Sequence, residues 1–241
     1  MGFGTEKVED EIAVLIPEAK AARLDFDTAR TRRAYKRILS DFEGGKTHIL
    51  IGTQMLSKGL DFERVSVVGV LNADNLMNFP DFRAYERAFQ LMMQVSGRAG
   101  RRQHQGTVVI QTSQPEHPLL KMVQAFDYDG MAVMQLEERK MFHYPPYSRL
   151  ITVVMRSKDE TVLKRLSGFY AAHLRQLLGN GVIGPFAPPV GRVQTLYMRQ
   201  ILLKLEPSVP FASVRQALEQ VNLAIQSQPD AKRLLIHFDV D

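Results

Sequence analysis

Apolar and polar positions change period repeatedly along the chain. Thr5 stands before an acidic first turn at Glu6, a pattern that opens a helix with Thr5 as N-cap, and Pro17 ends it. The run 21–25 is short and extended. Asp27-Thr28 then predicts the start of a second helix that stops at Gly44-Gly45. His48-Ile49-Leu50-Ile51 is a continuous apolar run of strand length, and 65–71 and 106–111 repeat that signal around a helix over 83–95. Strands alternating with helices at this spacing predict a parallel α/β sheet covered on both faces.

The character changes after about residue 116. Helices are expected over 118–126 and 128–142, with Met122, Met131, Met134 and Met141 as packing residues. Tyr144-Pro145-Pro146-Tyr147 breaks the chain. Beyond it the pattern predicts a strand over 150–156, a helix over 160–178, and a Gly/Pro-rich passage with a short strand within 182–189. A strand over 200–205, a helix over 210–227 and a strand over 233–239 complete it. That β-α-β-β-α-β order is ferredoxin-like. The expected fold is α/β: a RecA-like parallel sheet over 1–145, with trailing helices at 117–143, followed by a smaller α+β domain over 146–241.

Composition narrows the chemistry. The chain has 241 residues, a net charge of +5 and no cysteine, so disulfides and cysteine-ligated zinc are excluded within it. A mild positive balance is compatible with a polyanionic partner. No apolar run approaches the roughly 18 to 20 residues that span a bilayer, and no signal peptide is visible. A cytoplasmic protein is therefore expected. The six histidines show no metal-ligand spacing.

The stretch Gln94-Val95-Ser96-Gly97-Arg98-Ala99-Gly100-Arg101 carries the densest chemistry. Two arginines three residues apart each follow a glycine. Their planar forks match phosphate oxygens, and such a pair can neutralise charge on a transferring γ-phosphoryl group. The plain alternative is a basic turn ending the helix before it. A second stretch, 51–62, follows an apolar strand and places Thr53 and Gln54 at the edge where open α/β sheets bind ligands. Gly59 permits a close turn, and Asp61 is placed to accept from a hydroxyl. An ordinary strand-to-helix connection is the competing account. Gly44-Gly45-Lys46-Thr47 imitates the end of a P-loop, but Ser40 occupies the first glycine's position and the tripeptide follows a helix instead of opening one. The cluster Arg30, Arg32, Arg33, Lys36 and Arg37 is either a nucleic-acid face or a solvated helix face. Arg192, Tyr197 and Arg199 leave the same two readings in the C-terminal part.

Taken together, Gly52-Thr53-Gln54-Met55, Lys58-Gly59 and Asp61-Phe62 resemble motif V of superfamily 2 helicases, and Gln94, Gly97-Arg98 and Gly100-Arg101 resemble motif VI. The spelling G-T-Q-M-x-x-K-G-x-D-F is similar to that of the primosomal protein N′ family of replication-restart DNA helicases. Pro80-Asp81-Phe82-Arg83-Ala84, Pro115-Glu116-His117, Tyr144-Pro145-Pro146 and the terminal Phe238-Asp239-Val240-Asp241 follow in the family's order.

The resemblance implies a C-terminal piece of an ATP-dependent helicase that acts in replication restart and primosome assembly. The family's DNA-binding region, P-loop lobe and cysteine-rich zinc insertion would lie outside this sequence. It implies that Arg98 and Arg101 contact the γ-phosphate of ATP and that Gln94 links that site to neighbouring motifs. Gly59 and Asp61 would approach the nucleotide, and Thr53, Gln54 and Lys58 would contact DNA. ATP and Mg²⁺ are the implied cofactors, held mostly by the absent lobe, with zinc in the longer protein but not here. The implied partners are forked or single-stranded DNA, a single-stranded-DNA-binding protein and other primosome proteins. The chain alone is expected to be inactive as an ATP hydrolase. A non-catalytic nucleic-acid-binding module and the second lobe of an RNA helicase are the alternatives.

Overall fold

The computed structural model describes residues 4–53, 65–97 and 106–241. They fall into two compact units, Met1–Ala132 and Val133–Asp241.

In the first unit, helix α1 (Thr5–Leu15) is followed by strand β1 (Ala21–Leu24), helix α2 (Arg32–Glu43) and strand β2 (Ile49–Gly52). β1 and β2 pair in parallel, with Leu24 opposite Gly52, so both strands end at one level. Strand β3 (Val67–Val70), the short helix α3 (Asp74–Met77), helix α4 (Ala84–Ser96) and strand β4 (Thr107–Ile110) come next. β3 and β4 form a second parallel pair. The described strands therefore make two separate two-stranded sheets instead of one continuous sheet. Covering is also less complete than the apolar runs imply: Val67 and Val109 stay 60% and 55% exposed. Burial concentrates on the helices. Met77 of α3, Ala88, Phe89 and Met92 of α4, and Leu119, Leu120 and Val123 of helix α5 (Pro118–Ala125) are all buried.

Two helix starts differ from expectation for one physical reason. α1 is capped by Gly4 and takes Thr5 inside, while the Thr5 hydroxyl is donated to Asp25 Oδ2 at 2.6 Å. α2 starts at Arg32, not at Asp27-Thr28, because Asp25 Oδ1 collects the backbone N–H groups of Asp27 and Thr28 and holds 25–28 as a turn. Thr31 becomes the N-cap and accepts from the Ala34 N–H at 3.1 Å.

Helix α6 (Tyr128–Met141) carries the boundary between the two units. Its methionines do not all pack: Met131 is buried, but Met141 is 73% exposed. The second unit then runs strand β5 (Arg149–Ser157), helix α7 (Glu160–Leu178), strand β6 (Val182–Phe186), the two-residue strand β7 (Arg192–Val193), strand β8 (Leu196–Leu205), helix α8 (Phe211–Gln226) and strand β9 (Leu235–Val240). The sheet is antiparallel in the order β6-β8-β5-β9, with β7 pairing β8. Alternate residues Ile151, Val153 and Met155 of β5 and Ile201, Leu203 and Leu205 of β8 face Leu163, Leu166, Tyr170 and Leu174 of α7 and Val214 and Val221 of α8 in one core. β7 was not foreseen; two residues carry no periodicity to read.

Candidate functional site

Thr53 is the first residue past β2, and Asp25 the first past β1. With Leu24 opposite Gly52, both sit at the C-terminal edge of one parallel pair, the edge where α/β sheets present ligand contacts. Thr53 is exposed there. Asp25 is buried and builds the edge. Besides Thr5 and the two backbone N–H groups, its Oδ1 lies 3.0 Å from the Thr28 hydroxyl, and Arg23 Nη1 stands 3.9 Å from Oδ2. Hydrogen bonds from Thr5, then from the Thr28 backbone, hold its carboxyl down at about 2. Arg23 is itself fixed by Glu9 at 2.9 Å. The sequence signal for this carboxylate is the D-x-D-T spacing just after a strand, where aspartate caps a turn with its own side chain. It was not singled out from the sequence.

The β3–β4 pair is finished in the same manner. Asp74 accepts from the Thr112 hydroxyl at 2.5 Å and from the Ser113 hydroxyl and N–H at 2.6 and 2.8 Å. These bonds lower its carboxyl below the usual aspartate range, the Ser113 hydroxyl most. The Asn72 N–H donates to Gln111 Oε1 across the same two strand exits. α4 is anchored at its start by Asp81, which accepts from the Arg83 N–H at 2.8 Å and pairs with Arg87 at 2.6 Å. At its other end Gln94 is exposed, and Gly97 forms the C-cap by donating its N–H to the Met93 carbonyl. Gln94 and Thr53 are thus placed at the exposed ends of regular elements. Gln54, Lys58, Gly59, Asp61, Arg98 and Arg101 lie outside the described residues.

The P-loop imitation is resolved by its surroundings. Gly45 has φ +73°, and Lys46 pairs with Asp41 at 3.2 Å in the turn that leads from α2 into β2. Arg192 lies over the Tyr197 ring at 4.9 Å, and Arg199 donates to the Pro185 carbonyl at 3.0 Å, so this hairpin uses its cations internally. Among the described residues no group of three or more His, Cys, Asp or Glu is arranged to hold a metal ion, and no helix is long and apolar enough to cross a membrane.

Residues 4–103 match the model of the helicase conserved C-terminal domain, and residues 140–241 match that of the primosomal protein N C-terminal domain. The chain is 36% identical to the replication restart protein PriA of Bacillus subtilis (strain 168), across 100% of this chain and 30% of that protein. It is 37% identical to the PriA protein of Synechocystis sp. (strain ATCC 27184 / PCC 6803 / Kazusa), across 100% of this chain and 28% of that protein. With the PriA protein of Treponema pallidum (strain Nichols) it shares 42% identity over 87% of this chain and 32% of the relative. The chain spans about a third of the length of these curated relatives. Two successive domain matches and end-to-end similarity to the same named proteins lead to one assignment: the chain belongs to the PriA family of replication restart proteins.

Proposed function

We propose that this chain supplies the second RecA-like lobe and the C-terminal domain of an ATP-dependent DNA helicase that restarts replication by assembling a primosome. The lobe would occupy 1–145 and the smaller domain 146–241, the latter of ferredoxin-like order; the β6-β8-β5-β9 sequence of strands supports that description. The observation that carries the reading is the Q-x-x-G-R-x-G-R stretch, which leaves the exposed end of α4 inside a helicase conserved C-terminal domain.

The donor chemistry fits ATP from one side. Arg98 and Arg101 would bring two guanidinium groups to the γ-phosphate, with Gln94 orienting them and Gly59 and Asp61 lying against the nucleotide. Nothing in the 44–47 turn cradles phosphate, since Lys46 is engaged by Asp41. The groups that hold the β- and γ-phosphates and Mg²⁺ would belong to another lobe, and so would any zinc. Bound ATP supplies the phosphoryl group whose transfer to water is coupled to movement on DNA. This chain's arginines stabilise the charge of that transfer, and Thr53, Gln54 and Lys58 contact the DNA backbone. Forked or single-stranded DNA is the substrate, and a single-stranded-DNA-binding protein and other primosome proteins are the partners.

The test uses a longer protein that joins this chain to a nucleotide-cradling lobe. Arg98→Ala or Arg101→Ala is expected to cut DNA-stimulated ATP hydrolysis by roughly 10³-fold or more, the low end for arginine fingers. Lysine restores little, because a point charge does not reproduce the planar fork. DNA affinity and melting temperature change little, and the 241-residue chain alone releases no phosphate. Retention of more than about a tenth of wild-type kcat by both variants overturns the reading, since it falls far short of finger magnitudes.

A further inference from the structure

We infer that the N-terminal half of α2 is a phosphate-contact surface for one strand of DNA, formed by Arg32, Arg33, Lys36 and Arg37. The inference deepens the DNA-helicase reading above and rests on it.

All four side chains are exposed, and none makes an ion pair with a described residue. The neighbouring carboxylates are already engaged, Asp27 by Arg30 at 2.8 Å and Asp41 by Lys46 at 3.2 Å. At about 100° per residue the four cations occupy one arc of roughly 140°. The half-buried Ala34, Tyr35, Ile38, Leu39 and Phe42 take the opposite side.

The placement works against the helix itself. A helix N-terminus favours acidic residues and disfavours cations, yet α2 has no acidic residue in its first turn. Arg32 with Lys36, and Arg33 with Arg37, are like-charge pairs at i,i+4, which repel. An ordinary solvated face alternates signs and escapes both penalties. A concentration of charge that the fold does not use is accounted for by an external anion.

Position identifies that anion. The turn tied down by Asp25 leads from the end of β1 into α2, so the basic half of α2 starts from the edge that also presents Thr53. Three of the four residues are arginines, whose forks suit phosphate oxygens. Residues 32–37 rise only about 8 Å along the axis, the reach of neighbouring phosphates on one strand and less than the roughly 12 Å across a major groove.

The test compares the 241-residue chain with R32Q/R33Q/K36Q/R37Q, using fluorescence anisotropy on a labelled oligothymidylate across a KCl series. Each phosphate contacted on a single strand releases counterion and contributes about 0.7 to the slope of log affinity against log salt, so the variant's slope should be shallower by roughly 2 to 3. Affinity at low salt should fall at least about tenfold, in line with the same counterion release. The variant should keep its far-UV dichroism and melt no lower than wild type, because repulsion has been removed from α2. R32K/R33K/R37K should retain most of the slope. Equal slopes for wild type and the glutamine variant overturn the proposal while leaving the DNA reading on Thr53 and Gln54. Competition by polyglutamate as effective as by oligothymidylate overturns the choice of DNA in favour of an acidic protein segment. A wild-type chain that binds no oligothymidylate overturns the surface outright, whereas the arginine-finger measurements judge the helicase reading separately.

Discussion

In the C-terminal unit, β5 and β8 run for nine and ten residues and pair along their whole shared length, whereas β1, β2, β3 and β4 are four residues each. The long strands alternate buried and half-buried positions, so one face of the sheet closes against α7 and α8. The short parallel strands bury little of themselves. They are finished by polar side chains at their exits, with Asp25 tying the end of β1 to α1 and to the turn before α2, and Asp74 tying the start of α3 to the residues just past β4. Apolar burial is non-directional and tolerates repacking; a carboxylate holding three or four donors fixes a loop in one conformation. The unit that matches the helicase conserved C-terminal domain fixes its strand exits with polar side chains, and the other unit closes its long-stranded sheet with an apolar core.

That contrast is most exposed to the same substitution made in both units. Leu166→Ala removes a side chain with no accessible surface from the centre of the C-terminal core. The cost should be about 2 to 5 kcal/mol, through lost burial and a residual cavity. Leu71→Ala, just past β3 and 56% exposed, should stay within about 0.5 kcal/mol. Urea titration followed by far-UV dichroism reads both. Similar losses in the two variants would erase the distinction between a packed unit and one held at its loops.

The elements that burial dictates were legible in the sequence. The α7 periodicity predicts 160–178, and the helix is Glu160–Leu178, because seven of its residues recur on one buried face. The three apolar runs of the first unit became β2, β3 and β4 within two residues at each end. Where a side chain competes with the backbone for the same donors, periodicity is silent. That is why α2 was expected several residues early and why Thr5 was expected to cap a helix when its hydroxyl serves Asp25. For the candidate site, Thr53 and Gln94 were legible as positions at element ends. The choice between a solvated face and a nucleic-acid face on α2 was not, since it depends on which carboxylates are already paired.

Acid sharpens the comparison next. The folded-state carboxyl of Asp25 is held at about 2, below its ordinary value of 3.8. A depressed carboxylate contributes stability that is complete above the unfolded value and is lost as pH falls through the folded one. The window is therefore pH 4 to 2. Linkage sets a ceiling of about 2 kcal/mol, and solvent at the sheet edge reduces it. Wild type should exceed Asp25→Asn by about 1 to 2 kcal/mol at neutral pH, in keeping with hydrogen bonds to a charged acceptor. That gap should close across the window. Urea titrations of both proteins at several pH values measure it, and curves that stay parallel down to pH 2 would remove Asp25 as the fastener of the β1–α2 turn.

The smallest expected effect separates the two units at single helix caps. Thr31 caps α2 through one bond to the Ala34 N–H, and Asp159 caps α7 through bonds to the Thr161 and Val162 N–H groups at 2.9 and 3.1 Å. Removing either cap with alanine costs about 1 kcal/mol. The consequences should nevertheless be distributed differently. α2 buries no residue fully, so it should open locally, and most of the loss should appear in its own amides. One kcal/mol corresponds to about fivefold in protection, and hydrogen exchange across 32–43 should accelerate by about that factor in Thr31→Ala. α7 buries seven residues and beyond its first turn opens only with the core. In Asp159→Ala the amides of 160–163 should therefore lose protection strongly, while those of 166–174 change only as far as global stability does. Exchange measured by mass spectrometry on overlapping peptides resolves both segments. If Thr31→Ala left α2 unchanged, or if Asp159→Ala accelerated the first and later turns of α7 alike at low denaturant, the division between a loop-fastened unit and a core-fastened one would fail at its most local level.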